Sequence, residues 1–171
     1  MQNLRSSFLP AAIITLLLAS CVSEIDPLFS FNFARNFSVA VPASESGIDT
    51  TFSFNIVDTA DEFQKNSTAK ERIETATVLK LGARGTTALS SFDSIQFFAV
   101  GETLPRVHIG TLAPLPEITQ FAINPADTNL KEYFKLPQFT LEARVISSRP
   151  IAQEISLGLE HTFLIVATPR Q

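Results

Sequence analysis

Two histidines, His108 and His161, and a single cysteine, Cys21, are the only side chains of their kinds in 171 residues. A zinc centre needs three or four ligands of cysteine, histidine or carboxylate type at characteristic spacings, and no short-spaced pair of ligands occurs here. Nucleophilic catalysis needs a base within hydrogen-bond reach of the nucleophile and an orienting group behind the base. No G-x-S-x-G elbow is present to present a serine in that way. Glycoside cleavage needs two facing carboxylates, and the 17 acids are scattered. Their densest group, Asp58-Thr59-Ala60-Asp61-Glu62, lacks the spacing and central glycine of an EF-hand loop and reads as the solvated start of a helix. Gly82-Ala83-Arg84-Gly85 reads as a tight turn with a basic tip, since the pattern of a phosphate loop does not follow it. No catalytic residue, cofactor or metal is expected from these residues.

Cys21 has a different explanation. It follows one positive charge, Arg5, an apolar run from Phe8 to Leu18, and the small residues Ala19 and Ser20. A run of about eleven residues, rising about 1.5 Å each, is too short to span a hydrocarbon core ~30 Å thick. It reads instead as the hydrophobic region of a signal peptide. Leu18-Ala19-Ser20-Cys21 resembles the lipobox of bacterial lipoproteins. That resemblance implies cleavage before Cys21, a diacylglyceryl group on its sulfur and an acyl chain on its new amine. The sulfur is then a thioether, closed to thiolate chemistry, and several acyl chains hold a protein on a membrane far more firmly than one. Val22 is not the aspartate that retains such lipoproteins at the inner membrane of enteric-type bacteria, so an outer-membrane address is expected. Whether the protein faces the periplasm or the cell surface is left open by Glu24 and Asp26.

The elements that must position any site are strands. Inward-facing phases are marked by Phe29, Phe31, Phe33, Phe37, Val39 and Val41, then by Phe52, Phe54 and Ile56, and then by Ile73, Thr75, Thr77, Leu79 and Leu81. Alternation of period two is the signature of a strand with one buried face. Ile95 to Val100 places Phe97 and Phe98 on opposite faces, as in a central strand covered on both sides. Val107 with Ile109, and Ile118 to Asn124, are shorter strands bounded by prolines. Phe139, Leu141, Ala143 and Val145 alternate, as do Ile155, Leu157, Leu159, His161, Phe163 and Ile165. This phase points His161 at the core and His108 outward. Helix is expected over Ala60 to Ser67, and again after an N-cap at Asp127 or Thr128, with Leu130 and Phe134 on one face. Fifteen phenylalanines against one tyrosine and no tryptophan suit core filling better than ligand stacking.

These elements define an all-β chain: an antiparallel β-sandwich, expected to be immunoglobulin-like, with a jelly roll or small barrel as the alternative. The expected organisation is a signal peptide over 1–20, the lipidated cysteine and a short tether over 21–27, and one sandwich domain over 28–171. After processing, 12 basic residues face 17 acids, a net charge of −5, with no basic cluster to neutralise phosphates. Nucleic acid is therefore not an expected partner. The expected partners are the membrane, through the lipid anchor, and an envelope protein or surface ligand. The function read from this is a non-enzymatic binding or accessory module of the cell envelope. The alternatives are an envelope hydrolase whose acids converge only in the fold, and a structural subunit of a surface assembly.

Overall fold

Eight strands form where the apolar alternation runs, and the computed structural model describes them within residues 28–169, excepting 58, 67, 126 and 127. The expected signal peptide, Cys21 and its tether therefore lie outside the described residues, as do Asp58 and Asp127. In chain order the elements are β1 (Phe29–Val41), β2 (Ile48–Val57), α1 (Ala60–Lys65), β3 (Ile73–Gly85), β4 (Ser94–Val100), β5 (Val107–Leu112), β6 (Gln120–Ile123), α2 (Lys131–Lys135), β7 (Gln138–Ser147) and β8 (Ile155–Ala167). Two single turns of 3-10 helix, Lys70–Arg72 and Leu89–Ser91, complete the regular structure.

The strands pair as if the chain were one long hairpin. β1 pairs with β8, β2 with β7, β3 with β6 and β4 with β5, all antiparallel. The hairpin then rolls up, so that β8 also pairs with β3, and β7 with β4. Two four-stranded sheets result, in the orders β1-β8-β3-β6 and β2-β7-β4-β5. This is a jelly roll, eight strands in two packed sheets. The expected antiparallel sandwich is present, and its strand order is the jelly-roll alternative rather than the immunoglobulin-like first choice. In an immunoglobulin domain the first two strands are neighbours in one sheet, whereas here the link after Val41 carries the chain from one sheet to the other.

Alternating burial follows from packing the two sheets face to face. On β8 every second residue from Ile155 to Ala167 is buried, and on β7 the same holds from Phe139 to Ser147. β3 departs from the expected phase. Register breaks occur between Ile73 and Thr75 and between Val78 and Lys80, so Ala76, Val78 and Leu81 turn inward while Leu79 is left 42% exposed. A bulge adds one unpaired residue and reverses the phase beyond it.

One end of the core is closed by α2. Leu130 and Phe134 are fully buried on its inner face, as expected, but the helix begins later than either expected cap. The Asn129 side chain there accepts from the Lys131 N–H at 3.0 Å and the Ala76 N–H at 3.2 Å. It thereby ties the helix start to β3. Phe134 sits 5.2 Å from Phe33, 5.1 Å from Phe139 and 5.2 Å from Phe163, ring centre to ring centre, and so touches strands of both sheets. α1 covers the neighbouring seam, its buried Phe63 meeting Phe31 edge-on at 5.5 Å.

Phe134→Ala removes the ring common to both sheets. It is expected to cost about 3–5 kcal/mol, measured by urea unfolding followed by circular dichroism. A loss below about 1 kcal/mol would mean that the helix does not hold the sheets together.

Candidate functional site

The two histidines are far from sharing a task. His161 lies on β8 with its side chain fully buried between the sheets. Its ring stands edge-on to Phe97 at 5.0 Å and to Phe37 at 5.7 Å, and parallel to Phe163 at 6.5 Å. Neither ring nitrogen has a hydrogen-bond partner, and burial pushes its pKa down to about 4. A neutral imidazole walled in by phenylalanines has no serine to activate and no path to solvent. His108 is exposed on β5, as expected, with Nε2 2.8 Å from the Thr111 hydroxyl and its ring edge-on to Phe98. Among the described residues no three histidines, cysteines or acids gather as metal ligands.

Phe97 and Phe98 are both buried, on opposite faces of β4, which lies between β7 and β5. The outer ring, Phe98, is covered by the Arg106 guanidinium 3.3 Å from its centre. Arg106 also donates to Glu142 at 2.8 Å, so cation, ring and carboxylate form one stack on the outside of that sheet. Farther along, Arg144 donates to both oxygens of Asp49, at 2.7 and 2.5 Å, and these hydrogen bonds hold the carboxyl below its usual range. Asp93 is lowered in the same way by accepting from Ser148 at 2.5 Å. These acids are each engaged by a neighbour rather than facing another acid.

The opposite sheet carries the most structured concave site. Its outer face is set by register: Asn36, Glu160, Gly82 and Ala122 lie in one row across β1, β8, β3 and β6, and Ser38, Gly158, Arg84 and Gln120 lie in the next. Over Gly82 and Gly158, neighbours on the diagonal, the surface sinks into a depression of about 380 Å³. Its polar rim is Asn36, Arg84, Gln120 and Glu160. Glu160 accepts from Lys80 Nζ with both oxygens, at 3.0 and 2.9 Å, and Arg84 donates to Gln120 Oε1 at 3.0 Å. A second depression of about 370 Å³ lies between the 3-10 turn at Leu89–Ser91 and the chain over 149–155, with Ser90, Arg149 and Gln153 among its lining. Among the described residues no carboxylate lines the second depression, and Glu160 is the only one lining the first.

Gly82-Ala83-Arg84-Gly85 was expected to turn, and here the structure differs. All four residues belong to β3, paired to β8 and, through Gly82 to Arg84, to β6. Two glycines in four residues read as a turn because glycine is the commonest turn former, yet one of them is a gap in a sheet face. Gly158, on the outward phase of the most regular strand, carried the matching signal and was not singled out.

The sheets also differ at their edges. β5 and β6 form one side, six and four residues long, while β1 and β2 form the other, 13 and 10 residues long. β1 keeps register with β8 over its whole length. Its inward-facing Arg35 lays the guanidinium over Phe33 at 3.9 Å.

No protein-family model matches the chain, and no curated protein does. Among solved structures it is similar to the infectious bursal disease virus Gt strain structure at 12% identity and a TM-score of 0.47, over 84% of this chain and 32% of that one. It is similar to decameric BFDV capsid protein at 9% identity and a TM-score of 0.37, over 82% and 99% of the two chains. Cocksfoot mottle virus follows at 8% identity and a TM-score of 0.32, over 100% and 94%. The chain thus spans about a third of the length of the first of these. The strand order by itself carries the fold.

His161 generates a pH prediction. Its pKa is about 4 in the folded chain and 6.5 in the unfolded one, so unfolding takes up a proton between those values. Stability is then complete above pH 6.5 and falls as pH drops toward 4, by about 3 kcal/mol from this residue. His161→Leu removes both unpartnered nitrogens. It is expected to flatten that slope and to raise stability at neutral pH, read by urea unfolding at several pH values.

Proposed function

We propose that this chain is a lipid-anchored lipoprotein of a bacterial cell envelope, outer-membrane in address, whose jelly-roll domain binds an envelope component or an extracellular ligand without chemistry of its own. The observation that carries the reading is Leu18-Ala19-Ser20-Cys21 behind its short apolar run. β1 begins at Phe29, eight positions after Cys21. At a maximum of about 3.5 Å per residue such a tether keeps the domain within roughly 30 Å of the anchoring lipid. No helix among the described residues is long and apolar enough to cross a membrane. The polar depression over Gly82 and Gly158 supplies a surface on which a ligand can rest. A glycoside hydrolase would need a second acid facing Glu160, and the rim offers amides and a guanidinium instead.

A second reading, a subunit of a surface assembly, is favoured by β1. An edge strand of 13 residues without proline, lysine or register break, with Arg35 as its inward-facing charge, leaves a long row of backbone groups able to accept another strand. Sedimentation across a wide range of protein concentration separates the two. The binding module stays monomeric, and the assembly subunit associates as concentration rises.

Cys21→Ser tests the anchor. The variant is expected to lose metabolic labelling by palmitate and to move from the membrane fraction to soluble or unprocessed protein. Label and membrane attachment that persist in the variant would falsify the reading.

A further inference from the structure

Four of the six glycines are crowded, Gly47 and Gly85 by backbone and Gly101 and Gly110 by leucine side chains. Gly47 has φ +84°, and a Cβ there would fall 2.3 Å from the Ser147 carbonyl oxygen. At Gly85, Gly101 and Gly110 a Cβ would stand 2.8 Å from the Thr87 carbonyl oxygen, 2.8 Å from Leu136 and 2.4 Å from Leu81. Gly158 has no such reason, and Gly82 has a weaker one, being buried beside the Glu160 side chain. Neither has positive φ, and both are paired strand residues. A Cβ on Gly158 would meet nothing nearer than 3.6 Å, and one on Gly82 would meet the flexible carboxylate of Glu160 at 3.3 Å and Ala122 at 3.4 Å. Glycine inside a strand weakens it, and where packing does not demand one it marks a place where another molecule approaches the backbone. Both glycines line the same depression, and Gly158 is the one whose backbone is open there.

The rim states what approaches. Glu160 and Arg84 are diagonal neighbours of opposite charge, yet each turns to another partner, Lys80 and Gln120, and the space between them stays open. The carboxylate only accepts hydrogen bonds, the guanidinium only donates, and the Asn36 and Gln120 amides do both. An anionic ligand would face Glu160, and an amine would face Lys80 and Arg84. A hydroxyl satisfies both kinds of group, because it donates and accepts. A sugar ring bearing neighbouring hydroxyls also has a C–H face to lay on the Gly158 backbone.

We propose that the depression over Gly82 and Gly158 binds a saccharide, with one pyranose ring on the half-buried Gly158 backbone and its hydroxyls on Arg84, Gln120, Asn36 and Glu160. This rests on the binding-module reading and names its site and ligand class. The saccharide belongs either to the envelope itself or to the surroundings of the cell, and the shared chemistry is the ring with its hydroxyls.

The test is calorimetric titration of the full-length chain, held in a detergent without a sugar headgroup. The probes are soluble peptidoglycan fragments, lipopolysaccharide core oligosaccharide and neutral glucan oligosaccharides. Saturable binding of at least one is expected, and the probe that binds identifies the source. Gly158→Ala is expected to weaken binding about tenfold by adding a methyl group to the floor. Its melting temperature, read by circular dichroism, should equal or exceed that of the natural chain, because alanine suits a strand better than glycine. Arg84→Gln, which leaves the backbone untouched, should weaken binding as well. The proposal is overturned if none of the probes binds, or if binding is unchanged in both variants. It is overturned too if the depression instead takes up a second protein chain, seen as association that Gly158→Ala abolishes. Palmitate labelling of Cys21 is independent of all these outcomes, so the anchor and the saccharide site fail separately.

Discussion

Exclusion of water from between two sheets, accomplished mainly by phenylalanine, is the constraint on which the rest of the molecule depends. A Phe ring has no polar atom to satisfy, so it contributes its full apolar area wherever it is covered. Phe33, Phe134, Phe139 and Phe163 meet across the gap, and Phe37 stacks on Phe54 at 4.2 Å where β1 passes β2. With the inner faces packed in this way, each strand has one phase committed to the core and the other released to the surface. The composition of the outer phase is then free to vary, and any recognition must be built there or at the edges.

His161 shows how far that commitment goes. A titratable ring with two unpartnered nitrogens is an expensive occupant of an apolar core, since burial of polar atoms without hydrogen bonds is unfavourable. It persists among Phe37, Phe97 and Phe163 only in its neutral form. Paired charges sit outside, where Lys80 with Glu160 and Arg144 with Asp49 span adjacent strands. Exposed pairs of this kind contribute little stability. Their consequence is the shape and polarity of the outer faces: on one sheet a stack of Arg106 over Phe98, on the other an open floor between Glu160 and Arg84.

Much of the fold was legible in period-two alternation. The strands β1, β7 and β8, the inward phase of His161, the outward phase of His108 and the Leu130–Phe134 helix face all follow from which positions are apolar. β3 was misread in two ways. Its bulges carry no compositional mark, so Leu79 seemed to continue the buried phase when it is the extra residue. Its closing glycines seemed to make a turn, because glycine serves turns and open sheet faces alike. The start of α2 was also displaced, since the acceptor that satisfies its first amides belongs to Asn129 and is held there by Ala76, 53 positions earlier.

By itself the sequence determined which residues are apolar, their spacing, and therefore the class of structure: strands with a Phe-lined inner face, behind a short apolar run ahead of Cys21. Spacing along the chain is local information, and a pleated strand converts it directly into two faces. Only the tertiary structure decided which strands became neighbours, because the immunoglobulin order and the jelly-roll order bury the same phases and differ in long-range pairing. That pairing set Gly82 beside Glu160 and Gly158 beside Arg84, residues 78 and 74 positions apart in the chain. A surface made of four strands exists only after the hairpin has rolled up, so its one open floor had no counterpart in the order of the residues.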